Sequence, residues 1–81
     1  MSFFIFMEDI LQKFGKRIKE LRKERNWTQD EFSKISGFHK NYIGMIERGE
    51  RNPSLKNIET FAQAFKMTIS NLTNNIEENG I

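Results

Sequence analysis

The side chains with the most specific chemistry to offer fall at residues 39–44, in the order His39, Lys40, Asn41, Tyr42, Ile43, Gly44. A lysine ammonium can donate to O6 and N7 of guanine, and an asparagine carboxamide can pair through two hydrogen bonds with N6 and N7 of adenine. Gly44 adds no bulk, which would let a thymine methyl or a phosphate approach closely. Tyr42 combines a ring that can pack inward with a hydroxyl that can reach a phosphate or a base. His39 either starts the segment or touches the same ligand. None of this is covalent or acid–base chemistry. The chain has no cysteine and one histidine, which excludes disulfides, thiolate nucleophiles and multi-histidine metal centres. No Ser, His and Asp are brought together by helical spacing, and no glycine-rich phosphate loop is present. No enzymatic activity, cofactor or small-molecule ligand is expected.

A second set of residues could hold a polyanion without reading it. Gln29 sits at the start of a helix-spaced segment, where unpaired backbone N–H groups favour an anion. Thr28 lies beside it, and Arg48, Arg51, Asn52 and Lys56 follow the 39–44 run. Charge supports this placement. Residues 13–51 carry eleven Lys and Arg against six Asp and Glu, so a net charge of only +2 conceals a segment of +5. Such a segment attracts nucleic acid. From charge alone, a solvated helix face with alternating signs reads the same way.

The segments that must position these residues all have helical spacing. Eighty-one residues suffice for one small core. Over 9–25, Leu11, Phe14, Ile18 and Leu21 step by three and four, and Asn26 suits a left-handed end. Thr28-Gln29-Asp30-Glu31 is a capping box, and Trp27 with Phe32 occupies the two positions of a hydrophobic staple. That helix places Phe32 and Ile35 inward and ends at Ser36, before Gly37. The next spans about 39–48, with Phe38, Tyr42, Ile43 and Ile46 apolar. Two short helices joined by so tight a glycine turn must cross steeply, as in a helix-turn-helix. Ser54, after Pro53, caps a fourth helix whose inward face is Leu55, Ile58, Phe61, Ala62 and Phe65. Thr68 caps a short fifth with Ile69 and Leu72 inside. No segment alternates with period two, so the expected class is all-α, a five-helix bundle. The domain is expected over 9–76, between an apolar N-terminal extension (1–8) and a frayed tail (77–81). The run Phe3-Phe4-Ile5-Phe6-Met7 is too short to span a bilayer and lacks the basic flank of a secretory signal. A cytoplasmic protein is expected, with no role assigned to that run.

Taken together, Trp27-Thr28-Gln29-Asp30-Glu31-Phe32, Gly37-Phe38, Tyr42-Ile43, Ile46-Glu47-Arg48-Gly49 and Asn52-Pro53-Ser54-Leu55 resemble the phage-repressor (Cro/repressor-like) helix-turn-helix family. The likeness covers about residues 10–75. Within that family, the run from Tyr42 to Asn52 is most similar to the controller proteins of restriction–modification systems. The resemblance implies a homodimer that binds double-stranded operator DNA and regulates transcription, with RNA polymerase as a further candidate partner. It implies base contacts from Lys40, Asn41, Tyr42, Gly44 and His39. Backbone contacts would come from Gln29, Thr28, Arg48, Arg51, Asn52 and Lys56. It makes Arg22 and Glu47 an ion pair between the first and third helices, and puts the dimer surface at Phe65, Met67, Ile69 and Leu72. Ser33 replaces the usual alanine, and Lys66 stands where glycine is usual, at a cost of about 1 kcal/mol if its backbone is left-handed. Two other assignments stay open from residues alone. One is a phage-type repressor or antitoxin-like module. The other is a protein-interaction adaptor without specific DNA binding, which a flat salt dependence on duplex would reveal.

Overall fold

Each helix in the described part of the chain begins at a side chain suited to cap it. In the computed structural model, which describes residues 9–74 and residue 76, these are Asp9, Thr28, His39, Ser54 and Thr68. They open α1 (Ile10–Glu24), α2 (Gln29–Ser36), α3 (Lys40–Glu47), α4 (Leu55–Ala64) and α5 (Ile69–Leu72). No strand occurs among the described residues. The expected extension at 1–8 and tail at 77–81 lie outside them. The Thr28 hydroxyl accepts from the Glu31 N–H at 3.0 Å, and the Glu31 carboxylate accepts from the Thr28 N–H at 2.8 Å. Each satisfies one of the donors a helix start leaves unpaired.

The helix ends are closed with equal economy. Asn26 and Lys66 both take φ of 59°. This lets Trp27 N–H bond the Arg22 carbonyl and Met67 N–H bond that of Ala62, the paired closure of a Schellman motif. Lys66 therefore bears the left-handed strain that a glycine would avoid, about 1 kcal/mol.

Phe14, Ile18 and Leu21 of α1, Phe32 of α2, Ile43 and Ile46 of α3, Phe61, Ala62 and Phe65 around α4, and Leu72 of α5 form one buried core. Its centre is aromatic. Phe32 stacks on Phe65 with centroids 4.8 Å apart, and the Trp27 ring lies over both. The staple that starts α2 thereby also ties α2 to the end of α4.

Several inward assignments need correction. Ile35 is 46% exposed. A three-residue step turns it about 60° away from Phe32, and the ring that meets α4 after the Gly37 turn is Phe38, 4.7 Å from Phe61. Leu55 (71% exposed) and Ile69 (36%) each open a helix. One turn on, Ile58 packs against the core and Leu72 is part of it. Conversely, Phe65 and Leu72, expected at a dimer surface, are 2% and 0% exposed in the single chain. Their rings and methyls already fill this subunit's own core, which leaves Met67 half-buried and Ile69 exposed.

Candidate nucleic-acid interface

α3 is held from behind. Gly15, in the middle of α1, meets the last turn of α3 so closely that a Cβ there would stand 2.3 Å from the Ile46 carbonyl oxygen. Two turns along the same face of α1, Arg22 grips Glu47 through two parallel hydrogen bonds, Nε to Oε2 at 2.7 Å and Nη2 to Oε1 at 3.0 Å. Both residues are buried. The Arg22 Nη1 donates to the Trp27 carbonyl, and the Gln29 side-chain amide donates to Glu47 at 3.0 Å. The buried carboxylate thus has three donors, the condition under which such a charge is tolerated. Gln29, expected at a phosphate because it opens α2, gives one side-chain N–H to this network.

The front of α3 is open. Lys40 and Asn41 are exposed in its first turn and line a shallow concavity with Gln29, Gly44, Met45 and Arg48. His39 caps the helix: its Nδ1 accepts from the Asn41 N–H at 3.0 Å. Gly44 does not lie bare on this surface. It is buried, and the Arg48 guanidinium and the Gln29 amide cover it, with Arg48 Nη1 3.1 Å from where a Cβ would be. The glycine therefore makes room first for Arg48, which must move before anything else approaches the helix backbone there.

Tyr42 faces α4. Its ring packs on Phe38 at 5.0 Å and Phe61 at 6.4 Å, and its hydroxyl accepts from the Asn57 amide at 3.0 Å. The hydroxyl keeps its own proton to donate. Arg51 lies over the outer face of the same ring, 5.4 Å from its centroid, a cation–π contact that orients the guanidinium. Asn52 and Lys56 are exposed beside it. Thr28 is occupied as a cap through its lone pair. Arg48 pairs with Glu50, Nε to Oε2 at 2.9 Å and Nη2 to Oε1 at 3.1 Å. These hydrogen bonds from Arg48 hold the Glu50 carboxyl below the usual carboxylate range. Among the described residues no group of three or more His, Asp or Glu could hold a metal ion, and no helix is long and apolar enough to cross a membrane.

A model of the helix-turn-helix family matches residues 18–72. The chain belongs to that family. It is 37% identical over 73 residues to control protein C.MunI of Mycoplasma sp, spanning 89% of this chain and 99% of that one. Among solved structures, the restriction–modification controller protein C.AhdI from Aeromonas hydrophila matches with a TM-score of 0.73 at 40% identity, over 76% of this chain and 94% of that one. The controller protein C.Esp1396I, solved as a tetramer with its 35-base-pair operator, matches with a TM-score of 0.78 at 25% identity, over 89% and 95%. All three are control or controller proteins.

For a helix-turn-helix protein of this kind, four residues that position the face escaped the sequence reading. Gly15 carried a visible signal, an interior helix glycine, which marks a close backbone approach when it is kept. Arg17 donates to the carbonyls of Leu72 and Asn71, tying α1 to the end of α5. Asn57 and Tyr42, fifteen residues apart, gave no pattern to read. Glu50 stood two residues from Arg48, and its sign alone was the clue.

Proposed function

We propose that this chain is a homodimeric, sequence-specific transcriptional regulator of a restriction–modification operon. Each subunit inserts α3 into the major groove, which at about 12 Å wide admits one helix. The observation that carries this reading is the front of α3. Lys40 and Asn41 are exposed in its first turn, on one concavity with Gln29 and Arg48, while the rear of the helix is locked to α1. Lys40 and Asn41 read base edges, with His39 and the Tyr42 hydroxyl at their flanks. Arg51, Asn52, Lys56 and the N–H groups at the head of α2 hold phosphates and set the register. Two copies join through α5 and the turn before it, where Met67 and Ile69 remain at the surface. They present their α3 helices to half-sites about 10–10.5 bp apart. RNA polymerase is the partner through which bound dimers act on transcription.

The test is binding to a pool of random duplexes followed by sequencing of the retained fraction. An approximately palindromic site with that spacing is expected, and its affinity should fall steeply with salt, at a log–log slope near −0.9 for each phosphate held. A flat slope with no enriched site would overturn the reading in favour of a protein-binding module.

A further inference from the structure

Two cationic side chains, Lys40 and Arg48, line the concave face of α3, and they are not equally available. No ion pair engages Lys40 among the described residues, whereas one edge of the Arg48 guanidinium, Nε and Nη2, is taken by the Glu50 carboxylate. The backbone enforces this pairing. Gly49 adopts φ of 75°, so the Glu50 N–H reaches back to the Met45 carbonyl at 2.9 Å and closes α3. Residue 50 is thereby pinned beside residue 48. One residue further on, Arg51 lies over Tyr42 and is in no ion pair among the described residues. The loop thus presents two arginines, one lying over Tyr42 and one paired along one edge with Glu50.

On the reading of α3 as a groove-binding helix, we infer that Glu50 is a counter-charge that masks Arg48 and lowers the affinity of this face for every duplex. A phosphate can take the Nε–Nη2 edge of Arg48 only by displacing Glu50, and one that engages the Nη1 end meets the Glu50 carboxylate as a neighbouring like charge. The exchange is feasible because the pair is exposed, with both side chains more than half accessible. A phosphate offers the same bidentate geometry as a carboxylate. The same movement uncovers Gly44, over which Arg48 Nη1 now lies. The mask acts on the electrostatic part of binding, so it restrains binding to operator and random sequence alike.

The test uses Glu50→Gln and Glu50→Ala, each alone and combined with Arg48→Ala. Binding is measured by fluorescence anisotropy on a labelled random duplex and on the selected site, across a salt series. Neither substitution touches the Glu50 N–H that closes α3, and thermal melts confirm the fold. Both single variants should bind either duplex about two- to fivefold tighter, the range set by an exposed ion pair. Their salt slope should steepen by about 0.9, one additional cation engaged. In the Arg48→Ala background the gain should largely vanish, because the coupling between the two residues is what the cycle isolates. An unchanged affinity, or an equal gain without Arg48, overturns the inference while leaving the DNA-binding reading intact. A wild-type chain with no salt-dependent duplex binding overturns both.

Discussion

Gly15→Ala should destabilise the protein even though alanine is the better helix former. By propensity alone, the substitution in a helix interior is worth about 0.8–1 kcal/mol in favour of alanine. Against this stands the surface of α3. The added Cβ would lie 2.3 Å from the Ile46 carbonyl oxygen, 2.7 Å from that of Glu47 and 2.9 Å from the Glu47 carbonyl carbon. All three are backbone atoms, so no side chain can swing aside. Ordinary contact begins at 3.4 Å, and α1 and α3 must part by about 1 Å at this point. Overpacking of this kind costs about 1–3 kcal/mol. The same separation stretches the Arg22–Glu47 hydrogen bonds, and complete loss of a buried pair's partner costs about 3–5 kcal/mol. A net loss of about 2 kcal/mol is expected, a fall in Tm of roughly 8–16 °C for a domain of this size. The assay is thermal unfolding by circular dichroism at one protein concentration, since self-association shifts Tm. Gly37→Ala supplies the contrast. Gly37 has φ of 86° but meets nothing within 4 Å, so only left-handed strain of about 1–2 kcal/mol opposes its substitution. Gly15→Ala should also weaken duplex binding, because α3 moves relative to its copy in the dimer. A Gly15→Ala protein that melts at or above the wild type would refute the claim that backbone contact sets the position of α3.

The remaining predictions divide by what each residue holds. Asn41→Ala should cost about 1–3 kcal/mol on the selected site and relax preference at one base position, measured on a panel of single-base variants of that site; an equal loss on all sequences would show that Asn41 does not read a base. Arg51→Ala should weaken binding evenly across sequences and make the salt slope about one unit shallower, and an unchanged slope in the same titration would remove Arg51 from the phosphate contacts. Lys66→Gly should raise stability by about 1 kcal/mol in urea or thermal unfolding, by relieving the left-handed strain at φ 59°; a destabilised variant would mean that the lysine side chain contributes more than its backbone costs.

What could be read from the sequence was local. The box of Thr28 with Glu31, the staple of Trp27 with Phe32 and the glycine turn at Gly37 each act within a few residues, and they place α2 and α3 relative to one another. The exposed first turn of α3 followed from them. What could not be read depended on the far side of the core. Spacing turned Phe65 and Leu72 inward while the resemblance set them at a dimer surface, and an apolar residue that completes its own subunit has the same pattern as one that completes a neighbour. Only the observed contacts, such as Phe65 on Phe32 at 4.8 Å, decide between them. Gln29 illustrates the same limit for polar groups. Its place at a helix start pointed to its backbone N–H and an anion, and gave no sign that its side-chain amide would bond Glu47, eighteen residues away.

These contacts divide α3 into two halves with different obligations. At the rear, Ile43, Ile46 and Glu47 are buried, and the helix meets Gly15 through backbone and Arg22 through a bidentate pair. At the front, Lys40 and Asn41 make no contact that the core requires. A helix fixed in this way loses little conformational freedom when it enters a groove, so the ordering cost that usually erodes affinity is small. The division also separates two kinds of variant that would look alike in a binding assay. Substitutions at the rear must lower the melting temperature as they weaken DNA binding, because they move the helix. Substitutions at Lys40 or Asn41 must change the preferred sequence at constant melting temperature, because they alter only what the helix presents. A front-face variant that lost stability in proportion to affinity would show that the two halves are mechanically coupled, and that base reading is a property of the whole bundle rather than of one exposed turn.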